Sequence, residues 1–301
     1  MRLFSIFLLL VITSKVCAQI TVTPGTAPTQ PRIDPSIYDS SFNFDRDRRE
    51  LLIGQQVYFI PFSKKYTDNK PELSDRFLTD PSEFLRSPNS YTRERLPAYC
   101  VYKPVRTNAN IFQTPLNEVL GRYFIVTDFA QNNSALNYQD LLNLMGLCSA
   151  ENRNDIVYYR LDGTSEYTNT GVYDFLVVGY YEKLKQRYIN QYYYLAKSTY
   201  FRMDVLPAKD VITGELVSLK DNNERWQCLD VTLLETSTYP KLVLSLLLRN
   251  SKGATIAASI DFPDYTIKPY LFLEVLSFKS FISEKEYLQQ QKINKQKANK
   301  K

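Results

Sequence analysis

The chain has no histidine anywhere in its 301 residues. That excludes the usual Ser-His-Asp and Cys-His nucleophile systems. It also excludes histidine-ligated zinc, copper and non-haem iron. Cysteine is scarce. Cys17 falls in a leader-like segment, and Cys100, Cys148 and Cys228 are one short of an all-cysteine zinc site. An odd number permits one disulfide with a free thiol, or three buried thiols. Cys100 and Cys228 lie in strand-like runs, which favours inert core cysteines. Nine glycines are too few for collagen-like or linker-dominated architectures. There is no Walker A loop, no G-x-G-x-x-G fingerprint and no EF-hand acid ladder, so neither a cofactor nor a metal site is expected.

Three options survive: a carboxylate pair, a Lys or Tyr base, or no catalysis. A carboxylate pair cleaves glycosides without histidine. Its candidates are Asp155, Asp162, Glu166, Asp174, Asp204, Asp210 and Asp230. Asp162 is already explained as half of an Asp-Gly turn, and no pair is marked by spacing, so no catalytic residue is assigned.

Long apolar runs are missing apart from one at the amino end. Arg2 precedes an apolar run from Leu3 to Ile12, broken only by Ser5, and small residues follow at Val16 and Ala18. The expectation is a signal peptide over residues 1–18, cut before Gln19. The run is about half of the ~20 residues a spanning helix needs, which weighs against an uncleaved anchor. Lys15-Val16 fits a lipoprotein box poorly, which weighs against lipidation at Cys17. The later apolar run Lys241–Leu248 is short and contains Ser245, so no membrane span is expected in the mature chain. The expected address is periplasmic, cell-surface or secreted.

The net charge of +5 is unevenly placed. The last twenty residues hold six lysines and two glutamates, whereas Gln19–Phe281 holds 29 basic and 30 acidic residues. The basic balance therefore describes a tail, and no nucleic-acid partner is expected.

What is abundant is aromatic. There are 23 tyrosines and 17 phenylalanines against one tryptophan. Gln55–Phe62, Ala98–Val105 and Arg122–Phe129 are short, aromatic and β-branched, and turn residues bound them. Asp162-Gly163 marks a hairpin. Two more hairpins are expected, from Gly214–Lys220 into Arg225–Glu235 and from Lys241–Arg249 into Ala254–Phe262. Ser134–Gly146 shows helical spacing at Leu141, Leu144 and Met145 before a glycine stop, and Asp80–Ser87 suits a single turn. Ser283 and Glu286 have capping-box spacing ahead of a thin apolar stripe, which predicts a helix fraying into a basic end. Two echoes, each an apolar pair followed by Gly54 or Gly121, with fainter ones around Gly179 and Gly214, suggest glycines at bulges of curved strands.

The expected fold is mainly β, a β-rich α+β protein of antiparallel curved sheets. It is arranged as two small β-barrel or sandwich domains with one intervening helix and a C-terminal basic tail, helical or disordered. The division runs 19–47 Pro/Thr-rich tether, 48–150 a β-rich domain ending in a helix, 151–281 a second β-rich domain, and 282–301 tail. One continuous β-domain is the rival.

The densest aromatic stretch is Arg187–Phe201, with Tyr192, Tyr193 and Tyr194 side by side. Read as a strand, it places Tyr192 and Tyr194 on one face. The preceding Tyr180–Arg187, read the same way, aligns Tyr181, Lys183, Lys185 and Arg187. Tyrosine ladders stabilise sheets by roughly 0.2–1 kcal/mol per pair, so the stretch needs no function to be explained. The functional alternative is a tyrosine-lined surface with a basic rim. The candidate ligand-binding residues are Tyr181, Lys183, Arg187, Tyr192 and Tyr194, and the expected partner is a glycan or a protein. The expected function is an exported, non-enzymatic binding or interaction module. The alternatives are a histidine-free glycoside hydrolase and a structural or assembly subunit that uses strand edges.

Overall fold

Short β-branched and aromatic runs between turn signals favour pleated, half-buried strands, and the computed structural model is built mainly from such strands. It describes residues 22–23, 38, 43–44, 46–61, 73–74, 76–80, 97–107, 111–131, 143–161, 174–196, 206–219, 223–236, 242–260 and 274–299. The expected signal peptide, most of the tether, the Asp162–Gly163 turn, residues 81–87, Glu166 and Asp204 lie outside the described residues.

The first half contains β1 (Val22–Thr23), β2 (Gln56–Phe59), β3 (Leu73–Ser74), β4 (Phe77–Leu78), β5 (Val105–Arg106), β6 (Phe112–Pro115), β7 (Tyr123–Gln131), β8 (Asn143–Ser149), β9 (Ile156–Leu161) and β10 (Phe175–Val177). Helix α1 (Val178–Tyr188) follows. Then come β11 (Tyr192–Leu195), β12 (Leu206–Lys209), β13 (Leu216–Leu219), β14 (Arg225–Leu234), β15 (Val243–Asn250), β16 (Thr255–Ser259), β17 (Leu276–Ser277), β18 (Phe281–Ser283) and helix α2 (Glu284–Ala298).

Two large sheets result. One has six antiparallel strands in the order β10-β2-β7-β8-β9-β4. The other has seven strands in the order β17-β16-β15-β14-β11-β18, with β1 added in parallel to β14. β3-β6-β5 and β12-β13 form smaller sheets. The fold is mainly β as expected, but both large sheets are open paths among the described residues, so neither is a closed barrel. Curvature comes from bulges inside β7, between Val126 and Asp128, and inside β14, between Cys228 and Asp230. The repeated glycines are not at these bulges. Gly54 and Gly121 take φ of 82° and 75° in the turns entering β2 and β7, while Gly179 sits inside α1.

Several expectations need correction. The pattern predicts a helix over Ser134–Gly146, but Asn143–Gly146 opens β8. Leu144, Met145 and Leu147 are all buried, so β8 is covered on both faces and its apolar residues do not alternate with polar ones. The segment Gly146–Asn154 is the end of β8 and the turn leading into β9, two paired strands of one sheet. Ala98–Cys100 is a 3-10 turn after Pro97, not a strand. β13 pairs with β12 and not with β14. Tyr180–Arg187 is not a strand; it lies in α1, whose Val178, Tyr181 and Leu184 recur at helical spacing and face inward. The β15–β16 hairpin and the Ser283 capping box are present as expected.

A shared core joins the two sheets. The chain crosses between them through α1, which packs on β2 and β10 of one and β14 of the other. Asn43 closes the outer edge of β10. Its amide nitrogen donates to the Phe175 carbonyl and its oxygen accepts from Val177 N–H, both at 2.8 Å, as a neighbouring strand would. At the carboxyl end, the Ser283 hydroxyl accepts Glu286 N–H at 3.3 Å and the Glu286 carboxylate accepts Ser283 N–H at 2.9 Å, which starts α2.

Candidate functional site

Three of the five candidate residues lie on α1, and helical geometry separates them. A helix advances 100° per residue, so Tyr181 and Lys183 point to nearly opposite sides. Tyr181 is fully buried, and its hydroxyl donates to the Val231 carbonyl at 2.6 Å. It therefore acts as a pin between α1 and β14 and offers no surface for a ligand. Lys183 and Arg187, four residues apart, share the outward side. Arg187 is exposed beside the Tyr188 ring. Lys185, between them, turns back toward Asp230 at 3.7 Å and lies 5.3 Å from the Tyr181 ring centre. Burial lifts the Glu182 carboxyl above its usual range; Lys185 opposes the lift and Asp230 adds to it.

The other two candidates are brought together. In β11 the alternation sends Tyr193 inward, where it packs with Tyr188 and Phe278. Tyr192 and Tyr194 face outward. Their register partners on β14, Gln227 and Arg225, share that outer face. The Arg225 guanidinium sits 3.5 Å from the Tyr192 ring centre. Arg225 also pairs with Glu284, the first residue of α2, at 2.9 Å. Tyr194 is buried by a parallel stack with Tyr287, whose ring centre is 3.9 Å away at 7°. The Tyr194 hydroxyl donates to Glu284 at 3.5 Å, and the Tyr287 hydroxyl donates to Asn223 at 2.6 Å. Gln227 donates through its amide to Asn190 at 3.5 Å, at the turn between α1 and β11. Asn190 holds φ of 66°, a left-handed conformation that asparagine tolerates.

The result is a ledge on the outer face of the seven-stranded sheet. Tyr192, Arg225, Gln227 and Asn190 remain partly or fully accessible on it, while α2 covers Tyr194. Arg225, Gln227, Asn190 and Tyr287 were not singled out from the sequence. Alternation along Arg225–Cys228 places Arg225 and Gln227 on one face, but nothing local identifies β11 as their neighbour. The ledge offers a planar cation on an aromatic ring, two amides and a carboxylate, which are groups that hold a polar ligand.

Among the described residues no grouping of acids and cysteines could hold a metal ion. Cys100, Cys148 and Cys228 are all buried; burial pushes the Cys228 thiol up to about 12. No helix among the described residues is long and apolar enough to cross a membrane. No protein-family model, curated protein or solved structure matches the chain.

Proposed function

We propose that this chain is an exported, non-catalytic binding module whose ligand is a glycan, met on the ledge around Tyr192, Arg225 and Gln227. The observation that carries the reading is the Arg225 guanidinium 3.5 Å from the Tyr192 ring centre, on an accessible face beside the Asn190 and Gln227 amides. An aromatic ring packs on the C–H face of a sugar, while amides and a guanidinium bond its hydroxyls. The mature protein, residues 19–301, should bind at least one glycan class on an array. Tyr192→Ala and Gln227→Ala should each weaken that binding at least about tenfold, or about 1.4 kcal/mol, with the thermal midpoint nearly unchanged. An empty array, or binding that both variants retain, defeats the reading, and a protein partner at the same ledge then becomes the test. Export is checked separately by mass spectrometry of the mature amino terminus, which should begin at Gln19.

Glycoside hydrolysis has its own supporting observation, the raised Glu182 carboxyl near Asp230. If the protein turns over a glycoside and Glu182→Gln abolishes that turnover, hydrolysis replaces simple binding.

A further inference from the structure

The β12–β13 hairpin carries the two most exposed large hydrophobic side chains among the described residues, Leu216 at 67% and Ile212 at 65%. It is nevertheless firmly held. The Asp210 carboxylate accepts Ile212 N–H and Thr213 N–H at 2.8 Å through one oxygen and Thr255 N–H of β16 at 2.7 Å through the other. Val211 N–H donates to the Thr255 carbonyl at 2.8 Å. A rigid element therefore presents apolar side chains to water, an arrangement that marks an interaction site.

The backbone shows what such a site would take. Asp210 N–H donates to the Glu215 carbonyl at 2.8 Å, in the same register as Ala208 with Val217 and Leu206 with Leu219. In an antiparallel ladder bonded pairs alternate with non-bonded ones. Val217 and Leu219 thus bond inward to β12, while the N–H and C=O of Leu216 and Ser218 point outward, as do the backbone groups of Pro207 and Lys209 on the other strand. Pro207 has no N–H, which blunts the β12 edge. Among the described residues nothing comparable blunts β13, whereas the edge of β10 is closed by Asn43.

We propose that β13 is a docking edge for β13 of a second copy of this chain, the two hairpins joining antiparallel across a two-fold axis into one four-stranded sheet. The strand is self-complementary. Leu216 of one copy falls opposite Ser218 of the other, so each outward N–H meets an outward C=O, and the two Leu216 side chains come within diagonal reach. Charge does not oppose the pairing. Lys209 pairs with Glu274 at 3.4 Å, the Asp210 carboxylate is buried against its three N–H donors, Glu215 falls opposite Leu219 of the other copy and away from the other Glu215, and the body of the chain is within one charge of neutral. Four residues of strand bury less than a permanent dimer needs, so the association is weak and concentration-dependent.

The test is sedimentation of the mature protein from about 10 μM to about 1 mM, beside Ser218→Pro and Leu216→Lys. Ser218→Pro removes an outward N–H and spares the inward bonds, as Pro207 does on β12. Leu216→Lys sets two like charges near the axis. Wild type should rise toward twice the monomer mass, while both variants remain monomeric. A monomeric wild type, or a dimer that Leu216→Lys leaves intact, overturns the proposal. Leu216→Lys alters an exposed side chain and decides the outcome even if the proline variant unfolds. Glycan binding at the ledge should be the same in both variants, so the two readings fail separately.

Discussion

In the six-stranded sheet, Phe59 lies 5.2 to 5.9 Å from the ring centres of Tyr159, Phe77, Phe124 and Phe175. In the seven-stranded sheet, the inner positions of β14, β15 and β16 are Val231, Leu233, Leu244, Leu246, Leu248 and Ile256, with Trp226 at one end. The aromatic core brings tyrosine hydroxyls with it, and these must be bonded. Two clusters of the same composition do this at its rim. Tyr159 donates to Asp174 at 2.6 Å, and Arg76 reaches the same carboxylate at 2.8 Å. Tyr102 donates to Asp155 at 2.9 Å, and Arg122 reaches it at 3.3 Å and Ser149 at 3.1 Å. The aliphatic core has little of this demand, and its sheet keeps Tyr192 and Arg225 on the outer face. The polar aromatic groups of one region are consumed by folding, while some of those in the other remain accessible, which is why the proposed binding ledge is placed there.

Cores are the sharpest place to break this comparison. Phe59→Ala should cost about 4 kcal/mol and Leu246→Ala about 3 kcal/mol, because the first empties a site shared by four rings. Urea midpoints of the two variants measure both values. If Leu246→Ala costs clearly more, the aromatic cluster is not the stronger of the two centres.

The Tyr–Asp–Arg clusters come next. Asp174→Asn and Asp155→Asn should each lose about 1.5–2 kcal/mol, since each removes a charge that binds a tyrosine and an arginine at once. Similar losses at both sites would establish them as equivalent staples. A negligible loss at either site would mean that its sheet end is held by packing alone.

Acid separates the regions in another way. Burial by itself would raise the Asp210 carboxyl, but hydrogen bonds from the N–H groups of Thr213, Thr255 and Ile212 outweigh it and hold the carboxyl below the usual range. The folded state then binds that proton more weakly than the unfolded chain. The resulting stability is complete above the unfolded value near ~4 and is lost as pH falls below it. Asp210→Asn should therefore flatten the acid limb of a stability–pH curve and loosen the β12–β13 hairpin. Burial raises the hydroxyls of Tyr58 and Tyr159 in the six-stranded sheet and of Tyr102 at its rim, with Asp155 adding to the effect on Tyr102 and Asp174 to that on Tyr159. Their contribution is complete below about pH 10 and lost above it, and Tyr159→Phe should flatten part of that alkaline limb.

How much of this was legible depended on whether the signal was local. Ser283 and Glu286 lie three residues apart and announce a helix start without tertiary help. Asn250 to Gly253 likewise announces the β15–β16 turn. Tyr180–Arg187 misled because tyrosine has high strand propensity, although Val178, Tyr181, Leu184 and Tyr188 already carried helical spacing. Gly146 resembled a helix stop. Its actual setting is the middle of β8 opposite the β7 bulge, where a Cβ would meet the Asp128 carboxylate, and no local pattern encodes that. The ledge needed three segments far apart in sequence, around residues 190, 226 and 285, and only the pairing of β11 with β14 brings them together.

The smallest expected effect is at the join between α2 and the sheet. No residue of α2 is buried, so the helix is held by its cap and by what its first turn touches. Tyr287 supplies the largest of those contacts, a stacked ring on Tyr194. Tyr287→Ala should cost only about 0.5–1.5 kcal/mol, the value of one aromatic pair, because the packing beneath β11, Tyr193 with Tyr188 and Phe278, is not touched by the change. The local consequence should exceed the global one. With its cover removed, Tyr194 becomes accessible, and amide exchange in α2 should accelerate while exchange in β14 and β15 stays slow. If exchange accelerates equally in β14, the helix is part of the cooperative core, and the division between a packed sheet and an independent outer layer fails at this point.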